Sequence, residues 1–181
     1  DVPEKRGLCP RPFGTPPRYL GREEAPGGAE DTRTVMTVTV RPLRAEDEAD
    51  WRRLWTGYLE FYESAVSEEV YATTFARLLD PARVQQAGFV AEDGGRLVGL
   101  VHVVWHAHNW KLEDICYLQD LYVDPEVRGT GAGRALIEAV YAEADARGTP
   151  SVYWMTQDFN TQARKLYDRI GVLTPFIKYQ R

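Results

Sequence analysis

A chain of 181 residues with 44% apolar residues can bury a core of its own, and its formal charge of −5 argues against a non-specific nucleic-acid binder, which needs a positive face. The two cysteines, Cys9 and Cys116, supply neither a disulfide framework nor a zinc-ligand pattern, and read as reduced thiols of a cytoplasmic protein. No apolar run approaches the ~20 residues of a membrane span, and the N-terminal residues lack the apolar core of a signal peptide.

Residues 1–35 hold six prolines and five glycines and show no sustained hydrophobic period. Such a segment buries too little surface to offset its ordering entropy, so it is expected to be a flexible tail ahead of a domain at 36–181. Met36 opens the first patterned segment and offers an alternative start for the natural chain. The six Lys/Arg and six Asp/Glu of the tail cancel, which leaves the whole acidic excess on the domain. That excess suits a cationic substrate through long-range attraction.

Within the domain, "MTVTVRPL" alternates β-branched residues and predicts a strand over Val35 to Leu43. In "AEDEADWRRLWTGYLEFYE", Trp51, Leu54, Trp55, Tyr58 and Tyr62 recur with helical spacing behind acidic first-turn residues. A second helix is expected from Glu68 to Leu79, stopped by Pro81. "GFVAEDGGRLVGLVHVVWH" reads as a hairpin about an Asp-Gly-Gly turn. "ICYLQDLYV" predicts a strand, Ile115 to Val123. The helix after it turns Gly133, Leu136, Ile137, Val140, Tyr141 and Ala144 inward. "SVYWMT" reads as a short buried strand, Ser151 to Thr156. "NTQARKLYDRIG" reads as a helix with Ala163, Leu166, Tyr167 and Ile170 inward, ended by Gly171, and "PFIKYQ" as a closing strand. The order β-α-α-β-β-β-α-β-α-β predicts an α/β (α+β) fold: a mixed sheet with helices on both faces.

Between the Ile115–Val123 strand and the next helix stands "DPEVRGTGAGRALI". A strand, a glycine-rich loop and a helix N-terminus together make an anion site. First-turn N–H groups lack intrahelical partners, and glycines let them approach phosphate oxygens. Arg128 adds a charged donor. The phosphate-binding P-loop pattern fails, because no Lys-Ser or Lys-Thr pair follows. The dinucleotide pattern G-x-G-x-x-G fails as well, since its last position falls on Arg134 or Leu136. A turn that merely packs closely is the bland alternative.

The spacing that fits is Arg-x-x-Gly-x-Gly, Arg128 to Gly133, and with it the chain resembles the GNAT superfamily of acetyl-CoA-dependent N-acetyltransferases. "YLQDLYVDPEVRGTGAGRALI" is similar to the family's pyrophosphate-binding strand, loop and helix. "VYWMTQDFNTQARKLYDRIG" is similar to its second motif, Asn-x-x-Ala-x-x-Leu-Tyr-x-x-x-Gly. The resemblance leans toward a branch acetylating histone tails, polyamines or small amines. It implies a mostly antiparallel sheet with a splayed strand pair and acetyl-CoA as co-substrate. The diphosphate would lie on the loop from Arg128 through Gly129, Thr130, Gly131, Ala132 and Gly133 to Arg134. The pantetheine arm would pair with the backbone of Leu121, Tyr122 and Val123 and meet Asn160 and Ala163. Arg164 and Lys165 are further candidates for phosphate, against the bland reading of solvated helix charges.

Acetyl transfer needs a neutral amine and a protonated leaving thiolate. By the same resemblance Tyr167, seven residues after Asn160, is the general acid; the competing reading is a core tyrosine. Some branches carry a glutamate base nine positions before the loop arginine, and here that position is Gln119, which cannot accept a proton. Asp120 is the first candidate base, though strand alternation points it away from Gln119. Glu113, Asp114, a water relay and one of His102, His106 and His108 stay open as alternatives. The three histidines share a face if their strand stays regular, but no further ligand is fixed by spacing, so no metal is expected. Any aromatic of the first two helices that faces the cleft could hold a cationic acceptor. Cys116 reads as a packed thiol, so attack is direct and without a covalent enzyme intermediate. The rival is a non-catalytic acyl-CoA-binding or sensor module, suggested by Gln119. A homodimer is expected, because the closing strand leaves an edge to be covered.

Overall fold

The computed structural model describes residues 38–181; the expected tail and the start of the first strand lie outside them. Five strands form one sheet in the order β1-β2-β3-β4-β5, from β1 (Thr39–Pro42), β2 (Gln86–Asp93), β3 (Arg96–His106), β4 (Ile115–Val123) and β5 (Val152–Tyr153). The first four are antiparallel neighbours; β5 joins β4 in parallel. The helices are α1 (Glu48–Phe61), α2 (Glu68–Leu79), α3 (Ala132–Ala146) and α4 (Thr161–Ile170).

The helical stripe of α1 sets one face of the sheet. Trp51, Leu54 and Trp55 are buried with Phe75 of α2 against Val90, Leu97 and Leu100. The other face is covered by α3, whose Leu136, Ile137, Val140 and Ala144 are buried against Val101, Val103, Cys116 and Leu118. From α4, Leu166, Tyr167 and Ile170 pack on the same layer from its margin. A 3-10 turn at Ala45–Asp47 leads into α1 and is tied to β1 by Arg41, which donates to both oxygens of Asp47 at 2.7 and 2.9 Å.

Two expectations at the C-terminal end do not hold. The segment read as a buried strand, Ser151 to Thr156, pairs only at Val152 and Tyr153, and Tyr153 is exposed. The segment "PFIKYQ" has no strand geometry and leaves Phe176, Ile177 and Tyr179 exposed. Apolar content alone does not make a strand; a neighbouring edge must supply the hydrogen bonds. Gly171 does close α4, with φ −137°, outside the left-handed region. Its smallness serves packing instead, because the ring of Trp154 lies directly against it.

Candidate active site

The site is built around one irregularity in β4. Opposite β3, His102 pairs with Asp120 and Val103 pairs with Leu118, so Gln119 is a surplus residue, a β-bulge. Cys116 and Leu118 face α3; beyond the bulge Leu121 and Val123 face α3 again, while Asp120 and Tyr122 face α1. On the other side of β4 the pairing with β5 stops at Tyr117 and Tyr153, whose rings stack at 4.9 Å. From Leu118 onward the two strands part. A narrow cleft, with about 20 Å3 of enclosed space, opens there, lined by Tyr58, Tyr62, Leu118, Gln119, Leu121, Trp154, Met155 and Tyr167.

The glycine loop stands at the far end of the same strand. Asp124 anchors its base: one carboxylate oxygen accepts from Arg53 at 3.2 Å and from Arg96 at 3.0 Å, and the other accepts from the Glu126 N–H at 3.3 Å. Thr130 donates its hydroxyl to the Val127 carbonyl at 2.8 Å. Gly129 and Gly131 sit at φ +86° and +97°, a region that side chains other than glycine's enter with strain. This backbone turns the chain into α3, whose first capping bond runs from the Ala135 N–H to the Gly131 carbonyl at 2.9 Å. The leading amides of Ala132 and Gly133 precede any intrahelical partner and carry the positive end of the helix dipole. Arg128 reaches back to the Val123 carbonyl at 3.2 Å and lies over the Tyr122 ring. Arg134 is ion-paired with Glu138 at 2.7 Å, and Arg164 donates to the Asp158 carbonyl.

Tyr167 lies in the cleft with its ring 5.4 Å from that of Trp154, and burial pushes its hydroxyl up to about 12. Asn160 caps α4, accepting from the Ala163 N–H at 3.3 Å and donating to Thr156 at 3.1 Å. Asp120 is 6% exposed and forms the wall behind Tyr58. Burial and then the nearby negative charge of the Asp120 carboxylate push Tyr58 far above the ordinary phenol range. Asp120 also meets His102 Nδ1 at 2.8 Å, and His102 Nε2 accepts from the Trp51 indole N–H at 2.8 Å.

The other sequence candidates are not gathered into one site. β3 stays regular from His102 to His106, so these two share a face, with His106 bonding the Tyr153 hydroxyl through Nε2 at 3.1 Å, but His108 lies past the end of the strand. No group of three or more metal-ligating side chains occurs among the described residues. Glu113 lies exposed beside Lys111, away from the cleft lining. Cys116 is buried, which pushes its thiol up to about 11 and leaves it a poor nucleophile. Sequence reasoning left open which aromatic rings face the cleft; they are Tyr58 and Tyr62, one helical turn apart. It did not find Trp154 and Met155, whose segment resembled an ordinary strand.

The arrangement can do two things chemically. An open strand edge can pair with an extended amide-bearing ligand, and the loop at its end can hold that ligand's anionic groups. Comparison with known proteins agrees. Residues 51–172 match the acetyltransferase (GNAT) family. A D-amino-acid N-acetyltransferase of Saccharomyces cerevisiae is 39% identical over 146 residues, covering 80% of this chain and 90% of that one. An uncharacterised N-acetyltransferase of Bacillus subtilis is 30% identical over 78% of this chain and 95% of its own. In fold, an aminoglycoside N-acetyltransferase solved in complex with CoA superposes with a TM-score of 0.70 at 17% identity, over 81% of this chain and 95% of that one. Sequence match, sheet splay and loop geometry thus converge: this chain belongs to the GNAT family of N-acetyltransferases.

Proposed function

We propose that the protein transfers the acetyl group of acetyl-CoA to a primary amine, on a small molecule or a peptide lysine, by direct attack on the thioester. The observation that carries this reading is that one strand, β4, bears both the open backbone edge at Leu118–Val123 and the glycine loop at its end. The diphosphate lies on the amides of Gly129 to Gly133, with Arg128 and Arg134 beside it. The pantetheine arm pairs with Leu121 to Val123 and passes Asn160 and Ala163. That path brings the thioester to the bulge, between Tyr167 and Gln119.

Tyr167 protonates the departing thiolate. Its raised ionisation keeps the proton on the oxygen through neutral pH, as an acid requires. Asp120 is the acceptor of the amine's proton. The rings of Tyr58 and Tyr62, which meet edge to face at 5.0 Å in the cleft lining, offer an ammonium group an aromatic surface to approach. The S. cerevisiae relative is named for D-amino acids, and a thialysine N-epsilon-acetyltransferase of Bos taurus matches 34% of this chain at 39% identity; both names favour a small amine. We place the enzyme in the cytoplasm, and as a homodimer in which a second copy covers the exposed Leu173, Phe176 and Ile177.

The test is thiol release from acetyl-CoA by purified protein, across amino acids of both hands, polyamines, aminoglycosides and lysine peptides. Sustained release dependent on one amine class supports the reading. Tight acetyl-CoA binding without turnover on the whole panel would return the protein to the sensor class. Sedimentation equilibrium reads the oligomeric state.

A further inference from the structure

The buried triplet Trp51–His102–Asp120 fixes protons in a way the family match does not state. An indole nitrogen can only donate. Its contact with His102 Nε2 at 2.8 Å therefore requires a lone pair on that nitrogen. The ring proton then resides on Nδ1, where it faces the Asp120 carboxylate at 2.8 Å. An imidazolium would set an Nε2–H head-on against the indole N–H. The His102–Asp120 contact has the distance of an ion pair, yet it is a hydrogen bond from a neutral ring to a charged carboxylate. His102 is 5% exposed, and Trp55 and Trp51 pack their rings against it at 5.7 and 5.9 Å. So enclosed, the ring has little access to solvent that could replace the indole. The other titratable groups that sense Asp120 are Tyr58 and Tyr62 of α1 and Tyr117 of β4.

We propose that Trp51 locks His102 in its neutral Nδ1–H form, and that His102 thereby holds Asp120 as an uncancelled anion which draws the acceptor's proton through the Tyr58 hydroxyl. The inference rests on the acetyltransfer reading for its last step only. In that step the ammonium N–H bond breaks and the proton passes to the Tyr58 oxygen, while the Tyr58 proton passes to Asp120. The freed lone pair attacks the carbonyl carbon. The C–S bond breaks with its electrons on sulfur, which takes the Tyr167 proton. The second amine proton restores Tyr167, and Asp120 returns its proton to water through Tyr58. One proton per turnover leaves, as the overall reaction demands. Trp51 and His102 are positioning residues; neither lines the cleft.

Two readouts separate the lock from a structural role. Long-range proton–nitrogen NMR of the full chain at neutral pH, with His102 assigned from His102→Asn, is expected to show a pyrrole-type Nδ1 and a pyridine-type Nε2. An Nε2–H tautomer or an imidazolium overturns the proposal whatever the enzyme's activity. In turnover, Trp51→Phe frees Nε2 to take a proton, and the acid limb of kcat/KM for the amine is expected to move about one unit alkaline, a tenfold loss on that side. His102→Asn keeps a donor toward Asp120 and is expected to retain roughly tenfold more activity than His102→Leu, which leaves the carboxylate without it. A structural role alone would lower Tm in each variant and leave the pH profile's shape and the Asn–Leu difference flat. If the wild type turns over no amine, the proton path is refuted, while the spectrum still decides the tautomer.

Discussion

The ring of Trp154 lies so close to the backbone of Gly171 that a Cβ there would come within 2.6 Å of Cη2 and 2.8 Å of Cζ2. A rigid ring cannot yield as a flexible side chain would. Trp154 is also one wall of the cleft. Gly171→Ala is therefore expected to destabilise by about 1–3 kcal/mol and to lower kcat/KM by moving that wall. Thermal denaturation beside steady-state kinetics checks both. An unchanged Tm would mean that the ring is free to slide.

At the loop, Gly131 holds φ +97°, and a Cβ there would meet nothing within 4 Å, so conformation and charge, not crowding, govern substitution. Gly131→Glu adds backbone strain and a carboxylate where the proposed diphosphate would lie. The KM for acetyl-CoA is expected to rise more than about tenfold (over about 1.4 kcal/mol in binding), with a smaller change in Tm. Equal KM in wild type and variant would move the diphosphate elsewhere.

Tyr167→Phe removes the proposed acid and leaves the ring packed on Trp154. The expected result is a fall in kcat of about 100-fold, with KM for acetyl-CoA little altered. Because burial pushes the hydroxyl up to about 12, the wild-type profile should show no alkaline loss from this group through pH 10. A descending limb near pH 9 that disappears in the Phe variant would contradict the assignment.

Tyr58, Tyr62, Tyr117 and Tyr167 are all raised by burial, and so is Cys116. The folded state keeps these protons at a pH where the unfolded chain has released them. Stability is then fully present below about pH 8.5, near the unfolded thiol value, and declines as pH rises beyond it. Tm measured from pH 7 to 11 should fall steadily over the upper half. A flat profile would show that the tyrosines open to solvent without unfolding.

The acid side is governed by a different pair. Arg41 grips both oxygens of Asp47, and that hydrogen-bonded pairing holds the carboxyl below its usual range despite burial. A depressed folded value means stability present above about pH 4 and lost as pH falls below it. Asp47→Asn is expected to cost about 2–3 kcal/mol in urea denaturation at pH 7, and to flatten the acid transition.

Most of the frame was legible because its signals are periodic. The stripe of α3 from Leu136 to Ala144, the limits of α2 and the span of β4 follow directly from hydrophobic spacing. The loop was legible as a tight turn into α3, because Gly129 and Gly131 precede the helix and Gly133 stands in its first turn. The bulge was not. A surplus residue leaves no mark in a pattern, since Gln119 and Asp120 read as ordinary alternating neighbours. The shortness of β5 was hidden as well: Val152 and Tyr153 pair with Cys116 and Tyr117 and no further. The partnership of Trp51 with His102 was equally invisible, because a tryptophan on an apolar stripe and a histidine on a strand each look complete alone. The closing strand failed for the opposite reason: "PFIKYQ" has the composition but no neighbouring edge.

The inserted Gln119 has a consequence for how such a protein could be silenced. Leu118 and Asp120 already point to opposite sides of the sheet. Excising the residue between them would join two correctly oriented neighbours, and every inward side chain on either flank would stay where it is. The surplus residue opposite His102 and Val103 would go, and with it the Gln119 side of the cleft. A single lost codon would thus leave the sheet continuous and, on the acetyltransfer reading proposed above, the scaffold idle.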